Sequence, residues 1–107
     1  MVRPGDVVVV DFAGAALTKG RPMVVISSAA YHQQRPDVIL GVLTSNVGSA
    51  TTSSDYVLQD WQQGGLHKPS AFRTYLGMEA QADLRVIGRL SNRDWLGVVA
   101  AVRGAIG

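Results

Sequence analysis

The chain predicts a mainly β domain: a small antiparallel sheet or partly closed barrel of five or six short strands, finished by one C-terminal α-helix. Three observations carry this. Short apolar, β-branched runs recur along the chain, the first being Asp6-Val7-Val8-Val9-Val10-Asp11-Phe12. Turn-forming Gly, Pro, Ser and Asn separate them. Only the segment after Ser91 keeps a helical period through several turns.

The elements follow in order. Pro4-Gly5 is turn punctuation, and the run from Asp6 to Phe12 reads as a strand buried on both faces. Ala13 to Gly20 is a loop of small residues with Lys19 as its only charge. Pro22 to Ile26 is the second strand; proline fixes φ and lacks an N–H, so it suits the first residue of a strand. Ser28 can cap one helical turn through Gln34, which Arg35-Pro36 stops. Asp37 to Leu43 is a third strand, ending on Thr44-Ser45-Asn46. Gly48 to Ser54 reads as a mobile surface loop. Tyr56 to Leu58 is a short strand entering a glycine-ended turn at Asp60 to Gly65, and Leu66 to Ser70 is another loop. Ala71 to Leu76 alternates as a half-exposed strand does. Val86 to Leu90 is the last strand, with Gly88 where a neighbour can approach closely.

Ser91 is a natural N-cap for the final helix, and Asp94 three residues on gives a weaker capping box. Trp95, Val98, Val99, Val102 and Ile106 form one apolar stripe. The other side carries Arg93, Gly97, Ala100, Ala101 and Gly104. Glycine in a helix costs about 1 kcal/mol relative to alanine. Either that face packs closely on something or the cost is tolerated.

At 107 residues, 47% hydrophobic and 17% charged, the chain is one domain spanning 1–107 with a single modest core. No apolar run approaches the roughly 20 residues that span a bilayer, and Met1 to Asp6 does not read as a signal peptide. With no cysteine there is neither a disulfide framework nor a thiolate metal site, and a cytoplasmic protein is expected. The net charge is +2, and eight of the ten basic residues are arginine. Any contact with a polyanion is therefore local and shaped.

Candidate chemistry is sparse. There is no Cys/His cluster, no Gly-rich phosphate loop and no metalloprotease motif. Glu79 is the only glutamate, which argues against paired carboxylates. His32 and His67, each in polar surroundings, read as solvated surface residues. Arginine with hydroxyls remains. Arg21 starts the second strand and Thr44 ends the third, so antiparallel neighbours would bring them together at one rim. Lys19, Ser45, Asn46, Lys68 and Arg73 can gather at the same rim. Such a set suits a phosphodiester, because a guanidinium forks two phosphate oxygens while hydroxyls or N–H groups hold the rest. Cutting RNA without metal requires stabilising a pentacoordinate dianion, which preorganised cations can do. Arginine is a poor general acid. The bland alternative pairs Arg21 with Asp11 or Asp37 and leaves Thr44 as a strand cap.

At these residues the sequence resembles the MazF/PemK family of toxin endoribonucleases. The matching pieces run in order: Gly5 to Phe12, Gly20-Arg21-Pro22 with Val24 to Ser27, Leu43-Thr44-Ser45, Gly65-Leu66 with Pro69-Ser70, and Ile87 to Ser91 leading into the helix. The resemblance implies an SH3-like barrel with a C-terminal helix and a homodimer neutralised by a small acidic antitoxin. It also implies cofactor-free, metal-independent cleavage of single-stranded RNA to a 2′,3′-cyclic phosphate and a 5′-hydroxyl. It makes Arg21 the catalytic arginine, Thr44 the phosphate-contacting threonine, and Arg73 the second arginine of some members. The chain departs from the family in a shortened Ala13 to Lys19 loop. It also has Tyr75 where several members carry an aspartate proposed as the base. Two other readings stay open: a non-catalytic binding module of the same fold, and a structural barrel whose Gly/Ala helix face mediates assembly.

Overall fold

The valine run folds as a strand with both faces covered. In the computed structural model, which describes residues 1–10 and 21–107, β1 spans Asp6–Val10. Val7 and Val8 are both fully buried, but in different clusters. Val7 packs with Val24, Leu43, Phe72 and Val98; Val8 packs with Val2, Val25, Val38 and Leu40. Successive strand residues point to opposite faces, so one valine run supplies two cores. The end of the expected first strand, Asp11-Phe12, and the loop carrying Lys19 lie outside the described residues.

β2 (Met23–Val25), β3 (Asp37–Thr44), β4 (Asp55–Val57), β5 (Ala71–Ala80) and β6 (Leu84–Arg89) complete one antiparallel sheet in the order β4-β5-β3-β2-β1-β6. Its two end strands, β4 and β6, do not pair with each other among the described residues, so the sheet is not a closed barrel. Two strands run further than the sequence indicates. β5 continues past Leu76 to Ala80, because β3 supplies partners toward both ends, from Thr44↔Ala71 to Asp37↔Ala80, with a register shift at Gly41/Val42 that leaves Thr74 and Tyr75 without a β3 partner. β6 begins two residues early, at Leu84, opposite Val10. The segment expected as a mobile loop, Gly48 to Ser54, is entered on a 3₁₀ turn at Val47–Ser49, closed by Ser49 N–H to Asn46 O at 3.1 Å.

α1 (Ala29–Gln34) is the expected serine-capped turn, with Ser28 Oγ accepting from Tyr31 N–H at 3.1 Å. His32 is not solvated, contrary to its polar sequence neighbours: it is 4% exposed, with Nε2 sharing a 2.5 Å hydrogen bond with Ser27 Oγ. That Oγ also accepts from Ile39 N–H, so the serine ties α1 to β3 and draws the imidazole under the turn.

α2 (Asn92–Ile106) is capped by Ser91, whose Oγ accepts from Asp94 N–H. The face it buries is rotated from the apolar stripe. Asp94, Val98 and Ala101 are buried, whereas Ile106 is 72% exposed. Asp94 does not complete a capping box. Its carboxylate accepts from the Tyr56 hydroxyl at 2.8 Å and from the Gln59 and Asp60 N–H groups at 2.9 and 2.8 Å, clamping the helix to the chain after β4. Gly97 has a packing reason as well: a Cβ there would run into the Tyr56 ring.

Candidate active site

Register fixes the first half of the site. β2 and β3 pair with Met23 opposite Val42, and Leu43 N–H bonds Pro22 O at 3.2 Å. Continued two pairs beyond Met23 and Val42, the same register sets Arg21 opposite Thr44. Pro22 stiffens the entry to β2, and Thr44 closes β3 on a turn in which its Oγ1 accepts from Asn46 N–H at 3.1 Å. A hydroxyl has one donor and two acceptor positions. The turn uses an acceptor and leaves the O–H to point elsewhere. Asp37 is no partner for Arg21. It sits at the far end of the eight-residue β3 and is held by Arg35 at 3.1 Å and by the Tyr31 hydroxyl at 3.3 Å.

Glycine packing brings the second half. The loop after β4 enters on Gly65, whose φ of 78° is the left-handed region, and passes so close to β6 that a side chain on Gly88 would strike Gly64. Leu66 then buries its side chain in the core. Ser70 is buried too, with Oγ donating to Lys68 O at 2.9 Å and its carbonyl accepting from Leu58 N–H. Between these two anchors His67 and Lys68 are exposed.

The two halves enclose a cavity of about 610 Å³, large enough for a small ligand or one nucleotide's worth of chain. Arg21, Thr44, Ser45 and Lys68 line it together. His67 and Arg85 join them, and apolar Val9, Leu43 and Ile87 form part of the wall. Among the described residues that line it there is no carboxylate. Arg21, Lys68 and the hydroxyls of Thr44 and Ser45, with no carboxylate among the described lining, suit an oxyanion.

Of the expected site residues, Arg73, Asn46 and Lys19 stand apart from this cavity or outside the description. Arg73 lies on β5, paired through Nε with Asp55 at 3.3 Å and stacked over Tyr75. Asn46 contributes its backbone N–H to Thr44. Lys19 lies outside the described residues. The sequence reading missed His67 and Arg85 at the site. Arg85 immediately precedes the expected start of its strand; the strand in fact begins at Leu84, and Arg85 pairs with Val9. Among the described residues no group of three or more His, Asp or Glu side chains could hold a metal ion, and no helix is long and apolar enough to cross a membrane.

Residues 3–105 match the sequence model of a family described as PemK-like, MazF-like toxin of type II toxin–antitoxin system. No curated protein matches the chain in sequence. Among solved structures, an endoribonuclease in complex with its cognate antitoxin from a mycobacterial species superposes with a TM-score of 0.77 at 15% identity, over 100% of this chain and 96% of that one. MazE–MazF from Deinococcus radiodurans gives 0.75 at 16%, over 99% and 95%. The Mycobacterium tuberculosis toxin MazF-mt6 gives 0.73 at 17%, over 94% and 95%. At these identities the likeness is one of fold.

Proposed function

The chain belongs to the PemK-like, MazF-like toxin family of type II toxin–antitoxin systems, and from that premise we propose that it is an endoribonuclease cutting single-stranded RNA in the cavity that holds Arg21 and Thr44. The observation that carries this is the meeting of Arg21, Thr44 and Lys68 on the wall of one cavity with no carboxylate among its described lining. The structures with similar folds include two endoribonucleases, one of them in complex with its cognate antitoxin, and MazE–MazF, which supports the same reading.

In this mechanism the Arg21 guanidinium forks the non-bridging oxygens of the scissile phosphate, and the Thr44 O–H and Ser45 add hydrogen bonds. Lys68 brings further positive charge to the dianion that forms at phosphorus. His67 takes the proton of the 2′-hydroxyl. An imidazole nitrogen has a lone pair that can accept that proton, and this cavity offers no carboxylate for the step among its described lining. The 2′-oxygen then bonds to phosphorus, the P–O5′ bond breaks, and the leaving 5′-oxygen collects a proton from solvent. The products are a 2′,3′-cyclic phosphate and a 5′-hydroxyl, with no metal or cofactor in the step. In the cell the protein is a cytoplasmic homodimer held inactive by a small acidic antitoxin.

Purified protein incubated with single-stranded RNA in EDTA tests this. Cleavage by the wild type and none by Arg21→Ala is the expected result. Undiminished cutting by Arg21→Ala removes Arg21 from the mechanism, and growth arrest with cellular RNA intact replaces the enzyme by a binding module.

A further inference from the structure

Lysine is rare in this chain. The sequence holds two, Lys19 and Lys68, against eight arginines, and among the described residues Lys68 is the one that lines the cavity. Its backbone is fixed. Leu66 and Ser70 are buried on either side, and the Ser70 hydroxyl donates to Lys68 O at 2.9 Å. Its side chain is exposed, and among the described residues no carboxylate pairs with its ammonium. An amine pinned at its root, open to solvent and outside any such ion pair is placed to react as well as to carry charge.

The surroundings of that amine select the reagent that reaches it. Arg21, Thr44 and Ser45 share the cavity, with no carboxylate among the described lining, and about 610 Å³ admits a small phosphate compound. An acyl phosphate is a carboxylic acid joined to phosphate through an oxygen. Its phosphate suits the Arg21 guanidinium and the hydroxyls for the same reasons that an RNA phosphate does. Its carbonyl carbon lies one oxygen away from the phosphorus, and Lys68 stands on the wall of the same cavity. Holding an electrophile beside an amine turns a bimolecular encounter into a reaction within one complex. A thioester or a plain anhydride has no phosphate next to its carbonyl and gains nothing from Arg21.

We propose that Lys68 is an acylation site, modified directly by acyl phosphates that the cavity binds through their phosphate, and that the modification switches the cavity off. The labelling rests on the oxyanion-binding character of the cavity, and its effect on cutting rests on the RNA-cleavage reading above. The Lys68 Nζ, as the free amine, attacks the carbonyl carbon and forms an amide bond. The C–O bond to phosphate breaks, its electron pair leaves with inorganic phosphate, and the nitrogen gives up a proton to water. Nothing is oxidised or reduced. The amide carries no charge, so the cavity loses the cation that Lys68 supplied and holds an acyl group in its place.

The test treats the full chain with acetyl phosphate and follows acetylation of Lys68 and Lys19 by peptide mass spectrometry. Labelling of Lys68 is expected to saturate with acetyl phosphate, to be suppressed by inorganic phosphate, and to slow by roughly 10-fold or more in Arg21→Ala. Acetic anhydride, which carries no phosphate, is expected to label Lys68 equally in both proteins. Should Arg21→Ala slow both reagents, the competition by phosphate, made on the wild type alone, decides. Labelling that rises linearly with acetyl phosphate and ignores inorganic phosphate overturns the site. Cutting of single-stranded RNA is expected to fall in step with Lys68 acetylation, by about 10²-fold when it is complete. Lys68→Arg should keep its own rate through the same treatment. Undiminished cutting by protein acetylated at Lys68, or equal inactivation of Lys68→Arg, overturns the switch. Saturable, phosphate-suppressed labelling in a protein that cuts no RNA supports the site and removes the cleavage reading alone, whereas RNA cleavage without such labelling removes this proposal alone.

Discussion

His67 shows how a residue of unremarkable sequence context gains a place in a mechanism. Its neighbours Leu66 and Ser70 are buried and Lys68 O is bonded, so a short exposed segment is held against the cavity by anchors on both sides. If its imidazole accepts the 2′-hydroxyl proton, His67→Ala should lower kcat on single-stranded RNA by about 10²- to 10⁴-fold. Affinity for an uncut 2′-O-methylated strand should change little, since the proposed mechanism gives the phosphate contacts to Arg21, Thr44 and Lys68. Single-turnover rates beside anisotropy measure both; a full rate in the variant places the base elsewhere. The meeting of Arg21 with Thr44 is legible in the sequence as a neighbourhood, because in adjacent antiparallel strands the start of one lies beside the end of the other; the register itself comes from the observed pairing of β2 with β3. His67 and Arg85 are not legible in the same way. Their approach depends on Gly65 and Gly88 letting a loop lie against β6, a contact between distant segments that no local pattern encodes. His32 fails for a related reason: its neighbours in sequence are polar, but Ser27 and β3 surround it in space.

The helix α2 illustrates the limit of periodicity at the scale of an element. Its length and Ser91 cap are readable from local signals, but the buried face is not, because hydrophobic period counts neither a glycine nor an aspartate as core. Gly97 lies under the Tyr56 ring, and Asp94 is fully buried with three donors satisfied. Two effects oppose each other in Gly97→Ala. The helix gains about 1 kcal/mol from alanine's higher propensity. The added methyl meets the tyrosine ring, and overpacking costs about 1–3 kcal/mol. Tyr56 cannot swing away cheaply, because its hydroxyl would abandon the buried Asp94 carboxylate. Overpacking should therefore win, leaving the variant about 1 kcal/mol less stable in urea unfolding with an unchanged m-value. A more stable variant would show that the ring yields freely and that the glycine has no packing role.

Over the whole molecule, the polar ties that hold α2 to the sheet and the polar groups that line the cavity are different residues. The tie between α2 and the sheet runs through Tyr56, Asp60, Ser91, Arg93 and Asp94, and none of these lines the cavity. Acid should accordingly loosen the fold through a group the proposed chemistry does not use. Asp60 receives two hydrogen bonds of 2.7 Å from Arg93 and one of 2.6 Å from the Ser91 hydroxyl. The Arg93 bond first, then Ser91, holds its carboxyl down to about 2, against an ordinary 3.8. A carboxylate depressed in the folded state binds its proton more readily when unfolded. Its contribution is therefore complete above about pH 4 and is lost as the pH falls through about 2. Without the guanidinium, as in Arg93→Gln, the carboxyl returns toward its ordinary range and that contribution disappears. The variant should be less stable than wild type at neutral pH, and the gap should close between about pH 4 and pH 2. Urea unfolding of both proteins across that range measures it. Curves that stay parallel down to pH 2 would mean that Arg93 acts through the packing of its stem and not through its charge, while the rate of RNA cleavage at neutral pH should be the same in both.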